Sequence, residues 1–492
     1  MNDIRKQLID KHCTTKGELV EYGGYIYNCA LNQTDVTSNS NKFYIIQLIK
    51  TSSNYALYTR YGRISEIGTP RSIYYDLEAE GRLAFEKQFK SKTGNAWGAP
   101  NFVKKSGKYY MAEISYDDEL KKIPPKTLIK IPDSKLNKRV QELITLLSDV
   151  NMLKNSLVSL DIDTNKMPLG KIKQSQLDKA NGILNQIQSL VSIKGKNNIQ
   201  DQLNNLSSDY YTYVPMSFGR KKPPAIDTLE MIGKYKDIID ELRNMVINIQ
   251  ITENIKNGEN PLDGVYNDIN TIINPLDRNC RMWKEIEAYV ANSHGPTHGI
   301  KLEILDIFEV EQVGKKEKFD KYCENIGNRT LLFHGSPLSC ILSIFKHHYY
   351  LDPTKLKDIN IQIAGKLLGY GVYFADSCTK SMNYCRAQST NNIGCLILNE
   401  IALGKRSVRN EPDYNITKES LNKIGCDSAH GIGQYTPSKA TIINDLKIPN
   451  GKLRDIQKDT YLKYNEFVIY NVDQILIKYL ILVKNNGNYS MV

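Results

Sequence analysis

No stretch of this 492-residue chain approaches the roughly 18–20 consecutive apolar residues of a membrane span, and its first residues, MNDIRKQLIDKHC, lack the apolar core of a secretory signal. A soluble, intracellular protein is expected. The nine Cys, at 13, 29, 280, 323, 340, 378, 385, 395 and 426, include no CxxC pair, so a zinc finger is not indicated and no metal is expected. Their odd number, without a secretion signal, points to reduced thiols rather than a disulfide framework. There is no internal repeat, and no basic cluster stronger than short pairs such as Lys221-Lys222.

What is present is ordinary globular composition, with 41% hydrophobic residues and a length of roughly three domains at about 150 residues each. Net charge is +11, and residues 1–130 hold 20 Lys and Arg against 14 Asp and Glu. A basic N-terminal module invites a polyanionic partner. The abundance of Asn, Ile, Lys and Tyr fits an AT-rich genome and carries no chemistry.

The chain divides by pattern. Residues 20–115 read as strands plus one helix. Lys42–Ile49 is β-rich, Tyr55–Arg63 alternates into a Tyr-Gly-Arg turn, and Asp76–Lys90 is helical with Leu77, Leu83, Ala84 and Phe85 on its apolar side. Residues 116–133 are charged, hold three Pro and read as a linker. From 134 to 255 the pattern is all-helical. Leu136, Val140, Leu143, Leu147, Val150, Leu153 and Leu157 recur at three- and four-residue steps behind Ser134 as N-cap, and Ser175–Leu190 and Leu229–Ile249 follow suit. Residues 260–492 are mixed, with buried strands expected at Gly394–Leu403, Phe467–Val472 and Gln474–Val483, an α+β region.

Three short strings in that last region carry chemistry: HGS at 334–336, GVYFADS at 371–377, followed by SMNYC at 381–385, and YNEF at 464–467. Each alone has a bland reading: a turn His, packing Tyr residues in a chain with 31 of them, a solvated Glu. Together they supply what cleavage of an N-glycosidic bond to a cationic nicotinamide needs. The leaving group is already good, so catalysis requires a grip on the amide, orientation of the ribose, and a carboxylate facing oxocarbenium-like charge. Gly335 can offer backbone N–H and C=O without a side chain in the way, and Ser381 a hydroxyl. Tyr373 and Tyr384 can sandwich a flat cationic ring. Glu466 leads into an apolar strand, where a carboxylate is costly to bury without a function.

In this order the strings resemble the poly(ADP-ribose) polymerase family, and the resemblance covers nearly the whole chain. It implies a multidomain protein with an α+β ADP-ribosyltransferase catalytic domain (260–492), an all-α regulatory bundle (134–255) and a small β-rich WGR domain with one helix (20–115). The middle match rests on MPLGKIKQSQLDKA at 167–180 and YYTYVPMSFGRKKPPAI at 210–226. The N-terminal match rests on YNCALNQTDVTSNSNKFYIIQL at 27–48, YGR at 61–63 and FEKQFKSKTGNAWGAPNFVKKSGKYY at 85–110. The implied catalytic residues are His334, Tyr373 and Glu466. Gly335, Ser336, Ser381, Tyr384 and Lys380 are implied to bind NAD⁺ or flank the catalytic Glu, with Ser336 on the adenine-side ribose. HGIGQYTPS at 430–438 resembles the loop that closes over the donor. Tyr61 stands where the WGR domain has its Trp, and with Arg63 is the expected DNA contact. Four positions depart from the family pattern: Tyr370, Leu367, Tyr350 and Cys340.

The resemblance implies a DNA-break-activated enzyme with NAD⁺ as co-substrate, attaching ADP-ribose to protein acceptors including itself and elongating it, in a DNA damage response. Implied partners are DNA ends or nicks with a 5′-phosphate, protein acceptors and a specificity-modifying protein. With no zinc finger or BRCT-like segment ahead of residue 20, the layout resembles the smaller DNA-dependent members. The alternatives are a mono-ADP-ribosyltransferase of the same fold and a non-catalytic DNA-end-binding scaffold. A nuclear location follows from the resemblance; a viral origin would place it at a cytoplasmic replication site.

Overall fold

A computed structural model describes residues 5–6, 8–64, 66–111, 132–162, 174–191, 199–253, 259–349, 367–458 and 460–488. The 116–133 linker lies outside them except for 132–133, as do the MPLG string at 167–170 and Tyr350.

The N-terminal region is an antiparallel sheet. Strands β1 (Asn28–Asp35), β2 (Ser40–Lys50), β3 (Tyr55–Arg63), β4 (Thr69–Tyr75) and the short β5 (Tyr110–Met111) lie in the order β4-β3-β2-β1-β5, with Glu18–Leu19 also on β2. The YGR triplet ends β3 instead of forming a turn. Helix α1 (Glu78–Thr93) packs on this sheet through Gly81, Phe85, Phe89 and Thr93, a strict i, i+4 row. Leu77 and Leu83, expected on that face, are exposed: Leu77 is the extended residue that precedes the first turn, and Leu83 falls off the row. Trp97 closes the core, edge-on to Phe85 and Phe89 at 4.8 and 4.9 Å.

Helices α2 (Lys138–Leu147), α3 (Val150–Ser159), α4 (Gln174–Val191), α5 (Gln200–Tyr213) and α6 (Leu229–Glu253) make up the middle of the chain. The heptad-like Leu/Val row from 136 to 157 is thus broken into two helices. Asn137, not Ser134, caps α2, its side chain accepting from Arg139 N–H at 2.9 Å; Ser134 instead bonds to Asp263. The chain forms two compact units that cut across this helical stretch: the first joins the N-terminal region to residues 157–239, the second joins residues 132–156 to the chain from 240 onward. Helix α6 therefore begins in one unit and ends in the other.

Within the first unit, the β1–β2 hairpin is bonded to α5 and the segment after it. Val36 N–H donates to Ser208 Oγ at 2.9 Å, Asn41 Nδ2 to the Met216 carbonyl at 3.0 Å, and Lys104 pairs with Asp209. A buried ion pair holds the extreme N-terminal segment to the sheet: Arg60 Nη2 and Nε reach Asp10 at 2.7 and 3.0 Å, with both side chains less than a tenth exposed.

In the second unit a seven-stranded sheet is built from β6 (Thr271–Pro275), β7 (Leu302–Gln312), β8 (Arg329–Ser336), β10 (Ile393–Ala402), β14 (Thr441–Ile443), β15 (Leu446–Ile448) and β19 (Ile475–Asn485), in the order β14-β15-β8-β10-β19-β7-β6. A second sheet has the order β9-β18-β12-β11, from Val372–Phe374 (β9), Glu466–Ile469 (β18), Ser428–Gly431 (β12) and Arg406–Arg409 (β11). Three short strands, β13 (Gly433–Pro437), β16 (Leu453–Asp455) and β17 (Leu462–Tyr464), form a third. Strands β10 and β19, buried along almost their whole length, match the apolar runs in the sequence. Helix α7 (Arg281–Asn292) covers the large sheet, burying Trp283, Ile286 and Tyr289 against Phe333, Leu398 and Ile481.

The Asp10–Arg60 pair yields a stability prediction. Asp10→Asn leaves a buried guanidinium without its counter-charge, a loss of about 3–5 kcal/mol. Arg60 and the His12 N–H hold the Asp10 carboxyl below its ordinary range, against the upward push of burial. The penalty should therefore be full at neutral pH and fade as pH falls through that lowered pKa. Thermal melts of both proteins from pH 7 to pH 3 check it.

Candidate active site

Strand β8 ends in His334-Gly335-Ser336, and the segment after β9 runs beside it. Phe333 exchanges both backbone hydrogen bonds with Ala375, at 2.8 and 2.9 Å, on the edge of β8 that faces away from β10. Backbone direction alternates along a strand, so the N–H and C=O of Gly335 lie on that same edge, two residues further on. His334 Nδ1 donates to the Tyr373 carbonyl at 2.9 Å, which sets the tautomer and leaves Nε2 an acceptor. Tyr349 packs edge-on against its ring at 4.8 Å.

Gly335 is required by close packing. A Cβ there would overlap the backbone carbonyl of Ser381, on the short helix α9 (Cys378–Met382). Ser381 is buried beside it, and Ser336, also buried, leads through Pro337 into α8 (Leu338–His347). Cys340, one of the four departures, is a buried residue of α8 whose thiol pKa is pushed up by burial.

The two Tyr residues differ in setting. Tyr373 is half-buried. Its hydroxyl donates to the Gly369 carbonyl at 2.8 Å and accepts from Leu368 N–H at 3.0 Å, so it pins the turn that precedes its own strand. Burial, with Tyr470 beside it, pushes its pKa well up. Tyr384, on the 3₁₀ turn after α9, is 59% exposed. Leu367 and Tyr370 flank the pinned turn; Tyr370 is buried.

Glu466 opens β18 and is 8% exposed. Its Oε1 meets Lys380 Nζ at 2.7 Å, and Lys380 also donates to the Tyr464 carbonyl at 3.2 Å. Oε2 has no hydrogen-bond partner among the described residues. Desolvation pushes the Lys380 pKa down, against the pull of Glu466. The HGIGQYTPS string is not a loop but strands β12 and β13, with the His430 ring stacked on Phe467 at 4.3 Å and 15°.

Three further residues border this site that the sequence reading left without a role: His298, Asp376 and Asn465. The His298 ring lies 4.6 Å from that of Tyr464, its Nδ1 is 2.8 Å from Thr379 Oγ1, and burial with nearby Lys380 pushes its pKa down. Nothing in the SHGPTH string signals this, since its neighbours come from a helix and a strand more than 80 residues away. Asp376 and Asn465 stood inside two of the key strings, where adjacency to the named residues was the available signal.

In the first unit, the Tyr61 ring is exposed and stacks on its cross-strand partner Tyr44 at 5.4 Å and 8°, with Lys92 Nζ over the Tyr44 ring at 4.5 Å. Arg63 is bonded within the protein: it donates to the Gly219 and Lys221 carbonyls at 2.6 and 2.9 Å and to both oxygens of Asn39 at 2.8 and 2.9 Å. Four of its five N–H groups are so engaged, where the sequence reading had a guanidinium facing phosphate.

The sequence matches the family model of the poly(ADP-ribose) polymerase catalytic domain over residues 281–485, that of the regulatory domain over 134–266 and that of the WGR domain over 27–104. Among curated relatives, Poly [ADP-ribose] polymerase 2 of Homo sapiens is 32% identical over 502 residues, covering 98% of this chain and 84% of the relative. Poly [ADP-ribose] polymerase 1 of Gallus gallus is 31% identical over 496 residues, and its Xenopus laevis counterpart 33% over 486. This chain spans 47% of the length of each of those two.

The Gly335 contact is directly testable. Gly335→Ala forces the Ser381 carbonyl to move, an overpacking cost of about 1–3 kcal/mol. It should weaken nicotinamide binding at least tenfold, and nicotinamide titration followed by thermal shift measures both effects.

Proposed function

The chain belongs to the poly(ADP-ribose) polymerase family, and we propose that it is a DNA-break-activated ADP-ribosyltransferase that consumes NAD⁺, modifies protein acceptors including itself, and elongates the product. The observation that carries this reading is Glu466: a buried carboxylate with one oxygen held by Lys380 and the other without a hydrogen-bond partner among the described residues. Such an oxygen fits the ribose of a dinucleotide and the positive charge that develops at its anomeric carbon.

In the proposed reaction the bond between ribose C1′ and the nicotinamide nitrogen breaks, and nicotinamide leaves neutral with the bonding electrons. An acceptor oxygen then bonds to C1′ and loses its proton. The open edge of Gly335 and the Ser381 hydroxyl hold the amide, and Tyr384 stacks on the ring against the wall that Tyr373 forms. His334 and Ser336 orient the two riboses. Glu466 polarises the attacking hydroxyl, and Lys380 fixes its other oxygen in place.

DNA binding belongs to the first unit, through the Tyr61–Tyr44 stack and the basic residues around it; the bonds of Arg63 make it a link between β3 and the 219–221 segment. We assign regulation to the helical stretch and retain residues 20–115, 134–255 and 260–492 as the three domains. Within the second unit α6 is fastened to the catalytic region. Glu241 pairs with Arg386 at 2.9 Å, two residues beyond Tyr384, and Asn244 accepts from Ser343 of α8 at 2.8 Å. A second reading, mono-transfer without elongation, draws on the apolar Leu367 and buried Tyr370 at departure positions. A nuclear site of action fits the proposed DNA partner.

Labelled NAD⁺ with and without 5′-phosphorylated nicked DNA tests this reading. Nicotinamide release should depend on the nick and give a product ladder, and single ADP-ribose units would favour the second reading. Glu466→Gln should cut release at least 100-fold, about 2.7 kcal/mol in the barrier, without weakening DNA binding. Glu241→Gln should raise the DNA-independent rate severalfold while the rate at saturating DNA stays put; an unchanged basal rate would remove α6 from the regulation.

A further inference from the structure

Asn465 occupies a one-residue gap between β17 and β18, where the chain leaves the three-stranded sheet for the four-stranded one. At such a crossing the backbone loses one set of ladder partners before gaining the next, so the following residue is only as well aimed as the crossing is held. Here the following residue is Glu466. The Asn465 side chain bridges the crossing in two directions. Its Nδ2 donates to Asp376 Oδ2 at 2.7 Å, and its Oδ1 accepts from Gly433 N–H at 2.9 Å. Asp376 lies just past β9, three residues after Tyr373, and Gly433 opens β13. One amide therefore joins the three segments that carry Tyr373, Glu466 and the strand pair of residues 428–437.

The surroundings make this clamp specific. Asn465 and Asp376 are 4% and 3% exposed. A Cβ on Gly433 would overlap the Tyr464–Asn465 backbone, so the two segments meet main chain to main chain. Asp376 Oδ1 has no partner among the described residues, which leaves Asn465 as the hydrogen-bond anchor of a deeply buried carboxyl. Burial pushes that carboxyl up to about 6, with Asn465 and then Lys380 pulling it back.

We propose that Asn465 and Asp376 are positioning residues for the Glu466 carboxylate, setting its direction relative to the Tyr373 segment without contacting the dinucleotide. This rests on Glu466 acting as proposed above. The pair serves the reacting geometry rather than donor affinity, so its loss belongs in kcat and not in KM; a misplacement of about 1 Å costs on the order of 100-fold.

The test uses the full chain with nicked DNA, measuring kcat for nicotinamide release, KM for NAD⁺, nicotinamide Kd and the melting temperature. Asn465→Ala and Asp376→Ala should lower kcat about 10- to 100-fold, with KM and nicotinamide Kd within about twofold of the parent. Asp376→Asn keeps an acceptor oxygen for Asn465 Nδ2 and should restore most of kcat. Asn465→Asp preserves shape and folding but sets a second carboxylate against Asp376, and should be as slow as the alanine variants. Parallel changes in kcat and KM, a full kcat in Asn465→Asp, or no rescue by Asp376→Asn would each overturn the positioning role. Nicotinamide release that survives Glu466→Gln would instead overturn the reading of Glu466 on which the role rests.

Discussion

Lys380 and Glu466 bury opposite charges 2.7 Å apart at the junction of α9 and β18. Taking two charges out of water is unfavourable unless each finds its partner, and breaking such a pair leaves a stranded charge. The rest of the site is arranged around this contact. It needs α9 to lie against the end of β8, which glycine at 335 permits, and it needs β18 to enter its sheet with Glu466 facing inward, which the Asn465 crossing secures. Oε1 is held by Lys380, and the buried Oε2 has no hydrogen-bond partner among the described residues.

The same economy of contact governs the backbone. Gly335 lies against the Ser381 carbonyl and Gly433 against the Tyr464–Asn465 peptide. Two groups that the chemistry needs at fixed positions, the edge of β8 and the start of β18, are thereby located by main-chain contact rather than by flexible side chains. Tyr373 adds a side-chain restraint of another kind, fixing the 368–369 turn with its hydroxyl. Rigid placement of this kind is what catalysis by orientation and electrostatics requires.

The helical stretch shows that linear domains and compact units need not coincide. Helix α5 and the 216–221 segment are bonded to the β1–β2 hairpin and to Arg63, while Glu241 and Asn244, midway along α6, are bonded to Arg386 and α8. Different helices thus serve the two units: α5 and the segment after it hold the N-terminal sheet, and the second-unit part of α6 holds the region around α8.

Much of this was legible in the residues. Periodicity located α1, α4, α6, β10 and β19 to within a few positions, because long apolar patterns report which face is buried whatever lies opposite. The strings HGS, GVYFADS and YNEF nominated the pocket, because cleaving a bond to a cationic leaving group calls for those residue types. The local pattern failed where partners were distant. Leu77 and Leu83 looked like core, Ser134 like a cap and YGR like a turn, since each depends on what packs against it; the loop at 430–438 came from the family resemblance alone. Arg63 was read for its charge, and only folding showed which carbonyls it meets. By itself the sequence determined the chemistry available and the class of fold, through residue type and period. The tertiary structure decided that Asn465 bonds Asp376, 89 positions earlier, and that Lys380 faces Glu466. Side-chain direction across separate sheets is set by packing, and no local pattern encodes it.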